Sequence, residues 1–261
     1  MLSPETAHWC RIEIDGNPTL GRLHGDRIAL YRGELFEQPQ ATGAEIDAAG
    51  ANWLAPVEPR QFLGLWNNLE ERRIAENNFT PQFPLWFVKL PTCVIASGME
   101  ITRPPSFRGK VKFEAELGIV IGRECFDIST EEVDDYIFGY TCVNDVTAPE
   151  TLFEEEGFTH WCRAKSYRSF GPIGPVIATG IDPDNLRVQG ILDGVTLQDY
   201  PVSDMIFGPR QIVSMISREV TLLPGDVIAC GTSLGASDLE PGQTIEIVIE
   251  EIGRLQNRYA G

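Results

Sequence analysis

Apolar and polar positions follow two rhythms along this chain, and the two-residue rhythm of β-strands dominates. Three short alternating runs, Trp9 to Ile14, Thr19 to Leu23 and Arg27 to Tyr31, are separated by Asp15-Gly16 and by His24-Gly25-Asp26. Asp-Gly pairs between such runs signal hairpins, so residues 8–36 read as a small β-meander. Residues 39–52 are polar and rich in alanine and glycine, and read as a linker holding one helical turn. A second unit then opens, which divides the chain into a small N-terminal β domain with its linker, 1–58, and a larger domain, 59–261. In the latter, Phe62 to Trp66 and Leu85 to Lys89 read as strands. Residues 67–76 between them have helical spacing, with Asn67 or Asn68 as the cap. Ser129 followed by Glu132 fits a capping box and predicts a helix through Phe138, stopped by Gly139. Tyr140 to Val146 is a strand, Gly171-Pro172-Ile173-Gly174-Pro175 a rigid turn, and residues 185–198 a hairpin around Asp193-Gly194. A helix is predicted from Pro209 to Glu219, and Thr244 to Ile252 alternates again. The fold class is therefore mixed α+β and mostly β, with a curled mixed sheet closing into a roll or barrel with a ligand mouth.

The most informative stretch runs from Val111 to Gly122. Val111, Phe113, Ala115 and Leu117 share one face of a strand, with Lys112, Glu114 and Glu116 on the other. Beyond them the strand becomes fully apolar, as a central strand does. Carboxylates at i and i+2 sit roughly 7 Å apart at their roots and repel unless a cation lies between them. The pair reads either as a solvated strand face or as two oxygen ligands for a hard divalent ion. Asp145, at the end of the Tyr140 strand, is a candidate third ligand or a turn former. Arg163, Lys165 and Arg168 make a local cationic spot suited to a substrate carboxylate or enolate, and the acidic run Glu154 to Glu156 reads as a solvated helix face.

Composition narrows the partners. A net charge of −17 argues against nucleic acid and against an anionic membrane. No run of eighteen apolar residues predicts a transmembrane helix, and the first residues carry no signal-peptide pattern. Six cysteines, none in C-x-x-C spacing, read as reduced and mostly buried, which sets the protein in the cytoplasm.

Four blocks, in order, resemble the fumarylacetoacetate hydrolase superfamily over most of residues 60–260. They are Phe113-Glu114-Ala115-Glu116-Leu117, then Tyr136 to Tyr140 with Asn144-Asp145-Val146, then Lys165-Ser166 with Gly171 to Pro175, and finally Leu223 to Ile228 with Gly231-Thr232. The resemblance implies a mixed β-roll that dimerises with itself. It also implies Mg²⁺, with Mn²⁺ or Ca²⁺ as alternatives, held by Glu114, Glu116 and Asp145. Lys165, Gly231 and Thr232 then line the pocket of a small 2-oxo acid substrate, and His160 is a further candidate there or a structural histidine. Two departures bear on the reaction. Many members carry a His and a Glu on the first helix, where they activate water; here that helix reads Asn67-Asn68-Leu69-Glu70-Glu71-Arg72-Arg73 and has no His. After the Asn-Asp-Val block the chain reads Ala148-Pro149-Glu150, similar to the branch of 2-hydroxyhepta-2,4-diene-1,7-dioate isomerases and 5-oxopent-3-ene-1,2,5-tricarboxylate decarboxylases in aromatic catabolism. The expectation is a metal-dependent isomerase or decarboxylase of a 2-oxo or 2-hydroxydienoic acid or diacid. Glu70 and Glu71 are candidate lid bases or solvent-facing charges. The alternatives are a hydrolase of acylpyruvate-like C–C bonds and a member that binds metal or ligand without turnover.

Overall fold

The structure, a computed structural model, describes residues 6–261. Its strands are β1 (Ala7–Ile14), β2 (Asn17–His24), β3 (Arg27–Arg32), β4 (Gln40–Asp47), β5 (Asn52–Leu54), β6 (Phe62–Trp66), β7 (Leu85–Lys89), β8 (Val94–Ile95), β9 (Glu100–Ile101), β10 (Lys112–Phe113), β11 (Ala115–Ile121) and β12 (Ile137–Asn144). They continue with β13 (Gly171–Thr179), β14 (Arg187–Leu192), β15 (Val195–Pro201), β16 (Val227–Ala229), β17 (Ser237–Asp238), β18 (Thr244–Ile249) and β19 (Gly253–Tyr259). The α-helices are short: α1 (Glu70–Ala75), α2 (Pro149–Leu152), α3 (Trp161–Lys165) and α4 (Pro209–Ser217).

The large sheet runs β4-β3-β2-β1-β13-β12-β11-β16-β6-β7, with β5 on β1 and β8 on β13. A second sheet runs β15-β14-β18-β19-β9, and β10 pairs with β17. This is a mostly β, mixed-sheet fold with few helices. The expected closure into a roll or barrel is not carried by the pairing, since no ladder joins β4 to β7 among the described residues. The N-terminal meander is hydrogen-bonded into the large sheet, Ala7 opposite Thr179 and Trp9 opposite Ile177. The Asp15-Gly16 and Asp193-Gly194 turns have positive φ at both residues, as tight hairpins require.

Five local expectations fail in whole or in part. Residues 40–47 are a strand rather than a linker, because β3 offers an unpaired edge that they complete. The Ser129–Glu132 contact forms, with Glu132 accepting from the Ser129 amide at 3.0 Å, but no α-helix follows it. Ile137 and Phe138 are drawn into the ladder of β12, and Gly139 lies within that strand, where a Cβ would meet the Ala178 carbonyl oxygen at 2.3 Å. Residues 171–175 belong to β13 rather than to a turn, with the cis Gly174-Pro175 bond near the point where the ladder to β12 shifts register. Neither Asn67 nor Asn68 caps α1; Leu69 holds that place without a side-chain bond, and Asn68 turns inward to donate to the Cys230 carbonyl at 2.8 Å. Glu154 to Glu156 are exposed as read, but lie past the end of α2.

The strand from Val111 to Gly122 does not run straight through. It breaks at Glu114, between β10 and β11. There the Glu114 amide donates to Asn144 Oδ1 at 3.1 Å, and the Ala115 amide donates to Gln198 Oε1 at 2.9 Å. The Ala115 carbonyl accepts from Tyr200 Oη at 2.7 Å and from Thr232 Oγ1 at 2.8 Å. Side chains of β15, with Asn144 of β12 and Thr232 of the loop after β16, thus replace ladder partners at the break, where buried backbone groups need them. Gly190 on β14 allows this approach: a Cβ there would meet Phe113, Gln198 and Ala115 within about 3.1 Å. Of the six cysteines, all unpaired, only Cys162 is exposed.

Candidate metal centre and active-site cavity

Glu114 sits at the strand break, Glu116 on β11 and Asp145 one residue past β12, and the pairing of β11 with β12 brings the three together. Each offers a carboxylate oxygen, and these oxygens lie within 4.8 Å of one another. All three are buried, at 8%, 1% and 0% exposure. Lys165, at the end of α3 and 4% exposed, donates to Glu114 Oε2 at 2.6 Å and to Asp145 Oδ2. Lys89, at the end of β7 and fully buried, donates to Asp145 Oδ1 at 2.6 Å and to the Lys165 carbonyl at 2.5 Å. Two ammonium groups therefore face three carboxylates with little water to help.

The electrostatics follow from that count. Burial alone raises the pKa of a carboxyl, but Lys165 and Lys89 outweigh it and hold Asp145 below its ordinary value. Burial alone lowers the pKa of an ammonium, yet Asp145, Glu114 and Glu116 overcome it and raise Lys165, which stays charged. Glu116 is the exception. Burial first, then the neighbouring Asp145, push its carboxyl well above the ordinary range. Its only hydrogen-bond donor among the described residues is the Gly231 amide, at 2.7 Å to Oε2. A buried, oxygen-only donor set that leaves one carboxylate short of positive charge suits a hard divalent cation, so the residues present fit such an ion.

A cavity of about 300 Å³ opens over this cluster. Glu114, Glu116, Lys165 and Thr232 line it; Asp145 lies behind Lys165, outside the lining. The Gly231 amide is spent on Glu116, so that residue orients a carboxylate rather than facing the cavity. The Thr232 hydroxyl donates to the Ala115 carbonyl and accepts from Gln198 Nε2 at 2.9 Å. His160 lines a neighbouring cavity with Phe158 and Tyr167, not this one. Glu70 is paired with Arg73 at 2.7 Å, and neither Glu70 nor Glu71 reaches the cavity wall. The residue that α1 contributes is Arg72, whose Nη1 lies 3.9 Å from Glu114 Oε1. The apolar walls include Phe87 and Trp161, stacked with ring centroids 5.1 Å apart.

Sequence reasoning missed Lys89, Arg72, Gln198 and Lys112, which also lines the cavity. For Lys89 a signal existed: three of only four lysines, Lys89, Lys112 and Lys165, belong to this site, and Lys89 ends an apolar strand. Gln198 had none, because its role depends on how the second sheet meets the strand break.

A mixed-β scaffold presenting an acid-floored cavity with a charged lysine defines a class of candidate metal-site enzymes. Residues 58–260 match the sequence family described as fumarylacetoacetate (FAA) hydrolase C-terminal, and residues 7–56 match Rv2993c-like, N-terminal. The chain belongs to the fumarylacetoacetate hydrolase family, and with it to a superfamily of enzymes. Among solved structures it is similar to the 2-hydroxyhepta-2,4-diene-1,7-dioate isomerase from Mycobacterium marinum, at 32% identity and a TM-score of 0.88, covering 97% of this chain and 98% of that one. It is also similar to 5-carboxymethyl-2-hydroxymuconate delta-isomerase from Mycobacterium smegmatis, at 30% identity and a TM-score of 0.89, covering 97% and 99%. Fumarylacetoacetate hydrolase from Exiguobacterium antarcticum matches at 26% identity and a TM-score of 0.82, covering 98% and 99%.

Proposed function

We propose that this protein is a divalent-metal-dependent isomerase or decarboxylase of a 2-oxo or 2-hydroxydienoic acid or diacid, Mg²⁺ being the ion expected. The observation that carries the reading is the convergence of Glu114, Glu116 and Asp145 within 4.8 Å beneath a cavity walled by a charged lysine. Glu114, Glu116 and Asp145 would hold such an ion, which when bound would supply Lewis acidity toward the oxygens of a 2-oxo acid. The chain does the rest. Lys165 keeps its proton and lines the cavity, where it would offset the negative charge that develops on a substrate oxygen, the need shared by tautomerisation and decarboxylation. Lys89 fixes the far side of Asp145 and the Lys165 backbone, holding the pair in place. Phe87, Trp161 and Leu152 exclude water from the cavity wall. The two isomerase neighbours at 30% and 32% identity support the choice of reaction class.

Hydrolysis of an acylpyruvate-like C–C bond is the second reading, and one observation favours it. Asn67 lines the cavity with its Oδ1 enclosed and without a partner among the described residues, an acceptor able to hold a water. The reading includes a homodimer in the cytoplasm, for which light scattering gives the mass. The purified protein is offered oxaloacetate, an acylpyruvate and a hydroxymuconate-type diacid, each with Mg²⁺ and with chelator. Carbon dioxide release or a dienol-to-enone absorbance shift that chelator abolishes is the expected result. A pair of acids from cleavage establishes the hydrolase instead, and no metal-dependent turnover sinks both.

A further inference from the structure

A second cavity, of about 320 Å³, lies where the N-terminal meander meets the end of β11 and shares no lining residue with the first. Trp9, Arg22 and Phe36 come from the meander side, and Arg123, Asp135 and Phe138 from the other. Phe36 and Phe138 meet edge to face across the junction, their centroids 5.0 Å apart. Arg22 is half-buried, and its Nε is enclosed with no hydrogen-bond partner among the described residues. Arg123 stands at the exposed mouth with its guanidinium 5.4 Å from the Tyr136 ring centroid. Neither arginine belongs to an ion pair among the described residues, although Asp135 stands on the same wall.

An enclosed guanidinium nitrogen without an acceptor is costly, and a void of this size is that of a small-molecule site. Apolar rings on the walls and two fork-shaped donors ask for a flat apolar body that carries one carboxylate. We propose that this cavity is a second binding site, for a small planar carboxylate such as a single-ring aromatic acid. Its carboxylate pairs with Arg22 and Arg123, and its ring lies among Trp9, Phe36 and Phe138. Such a ligand ties the meander strands to the segments that follow β11 and open β12, so it stabilises their junction. The assignment does not depend on the metal centre.

Benzoate is titrated into the full-length chain in chelator and followed by calorimetry, with benzamide as the uncharged isostere. One saturable benzoate site per chain is expected, with a Kd below about 1 mM and far weaker binding of benzamide. Arg22→Gln weakens benzoate at least about tenfold, the worth of a charged hydrogen bond, and Arg22→Lys recovers part of the loss. Arg123→Gln, at an exposed position that cannot unfold the core, gives a second loss. Glu116→Ala leaves the binding unchanged. Absence of saturable binding, equal affinity for benzamide, or a loss seen with Glu116→Ala but not with the arginine variants overturns the proposal.

Discussion

The floor of the candidate active-site cavity and the helix proposed to cover it are built in opposite ways. On the floor, Glu114, Glu116, Asp145, Lys89 and Lys165 are buried, and every one is held by a backbone group or an opposite charge. The helix proposed as its lid, α1, is six residues long, buries none of its residues and takes no capping bond from its N-cap residue Leu69, only one at 3.2 Å from the Glu71 amide to Asp204 Oδ2. Its firmest side-chain contact, Glu70 with Arg73, lies along its own turn. A floor fixed by many partners suits chemistry that needs carboxylates at set distances, and a lightly held lid suits a segment that admits substrate. The reaction should therefore be insensitive to most of the lid and highly sensitive to the floor.

The largest effect expected is on the floor: Glu116→Ala removes stoichiometric Mg²⁺ binding and turnover while circular dichroism stays that of the folded chain. Retained stoichiometric binding shows that the ligand set is wrong. Next, Lys165→Met lowers kcat by about 10²- to 10³-fold, the scale of losing one electrostatic stabiliser, while metal still binds. An unchanged kcat removes Lys165 from the chemistry. Lys89→Met leaves Asp145 buried with one partner fewer, a loss of about 3–5 kcal/mol for a broken buried pair, read from urea unfolding; a surface-like change below 1 kcal/mol denies the network. On the lid, Arg72→Ala is expected to raise KM more than it lowers kcat. Glu70→Ala and Glu71→Ala leave kcat within about twofold. A collapse of kcat in either glutamate variant identifies a lid base that reaches the substrate only when the lid closes, and erases the contrast between floor and lid.

The same contrast explains what was legible in the chain. The three carboxylates of the floor were legible because β-strand periodicity places Glu114 and Glu116 on one face, and a strand end places Asp145 beside them. Lys89 carried only the weak signal of its rarity, since a lysine closing an apolar strand also looks like a surface terminator until β7 is seen beside α3. Gln198 was hidden because its partners, Ala115 and Thr232, are 83 and 34 residues away. The lid was misjudged for a local reason: two asparagines ahead of a charged run look like a helix cap, yet Asn68 serves the Cys230 carbonyl and Asn67 the cavity. The meander shows the same limit at the level of the fold. Its hairpins were readable from Asp-Gly pairs, whereas the strand at residues 40–47 carries no apolar alternation and forms because β3 offers it an edge. Short-range patterns reveal turns and paired charges; partners far along the chain decide the rest.

On the proposed reading, Glu114, Glu116 and Asp145 hold one divalent ion per chain. Calorimetric titration of Mn²⁺ into chelator-treated protein tests it most directly, with Asp145→Asn as the partner sample. One saturable site in the native chain, lost or weakened at least about tenfold in the variant, is the result this account predicts. No saturable binding to the native chain, or the same affinity in both proteins, contradicts it.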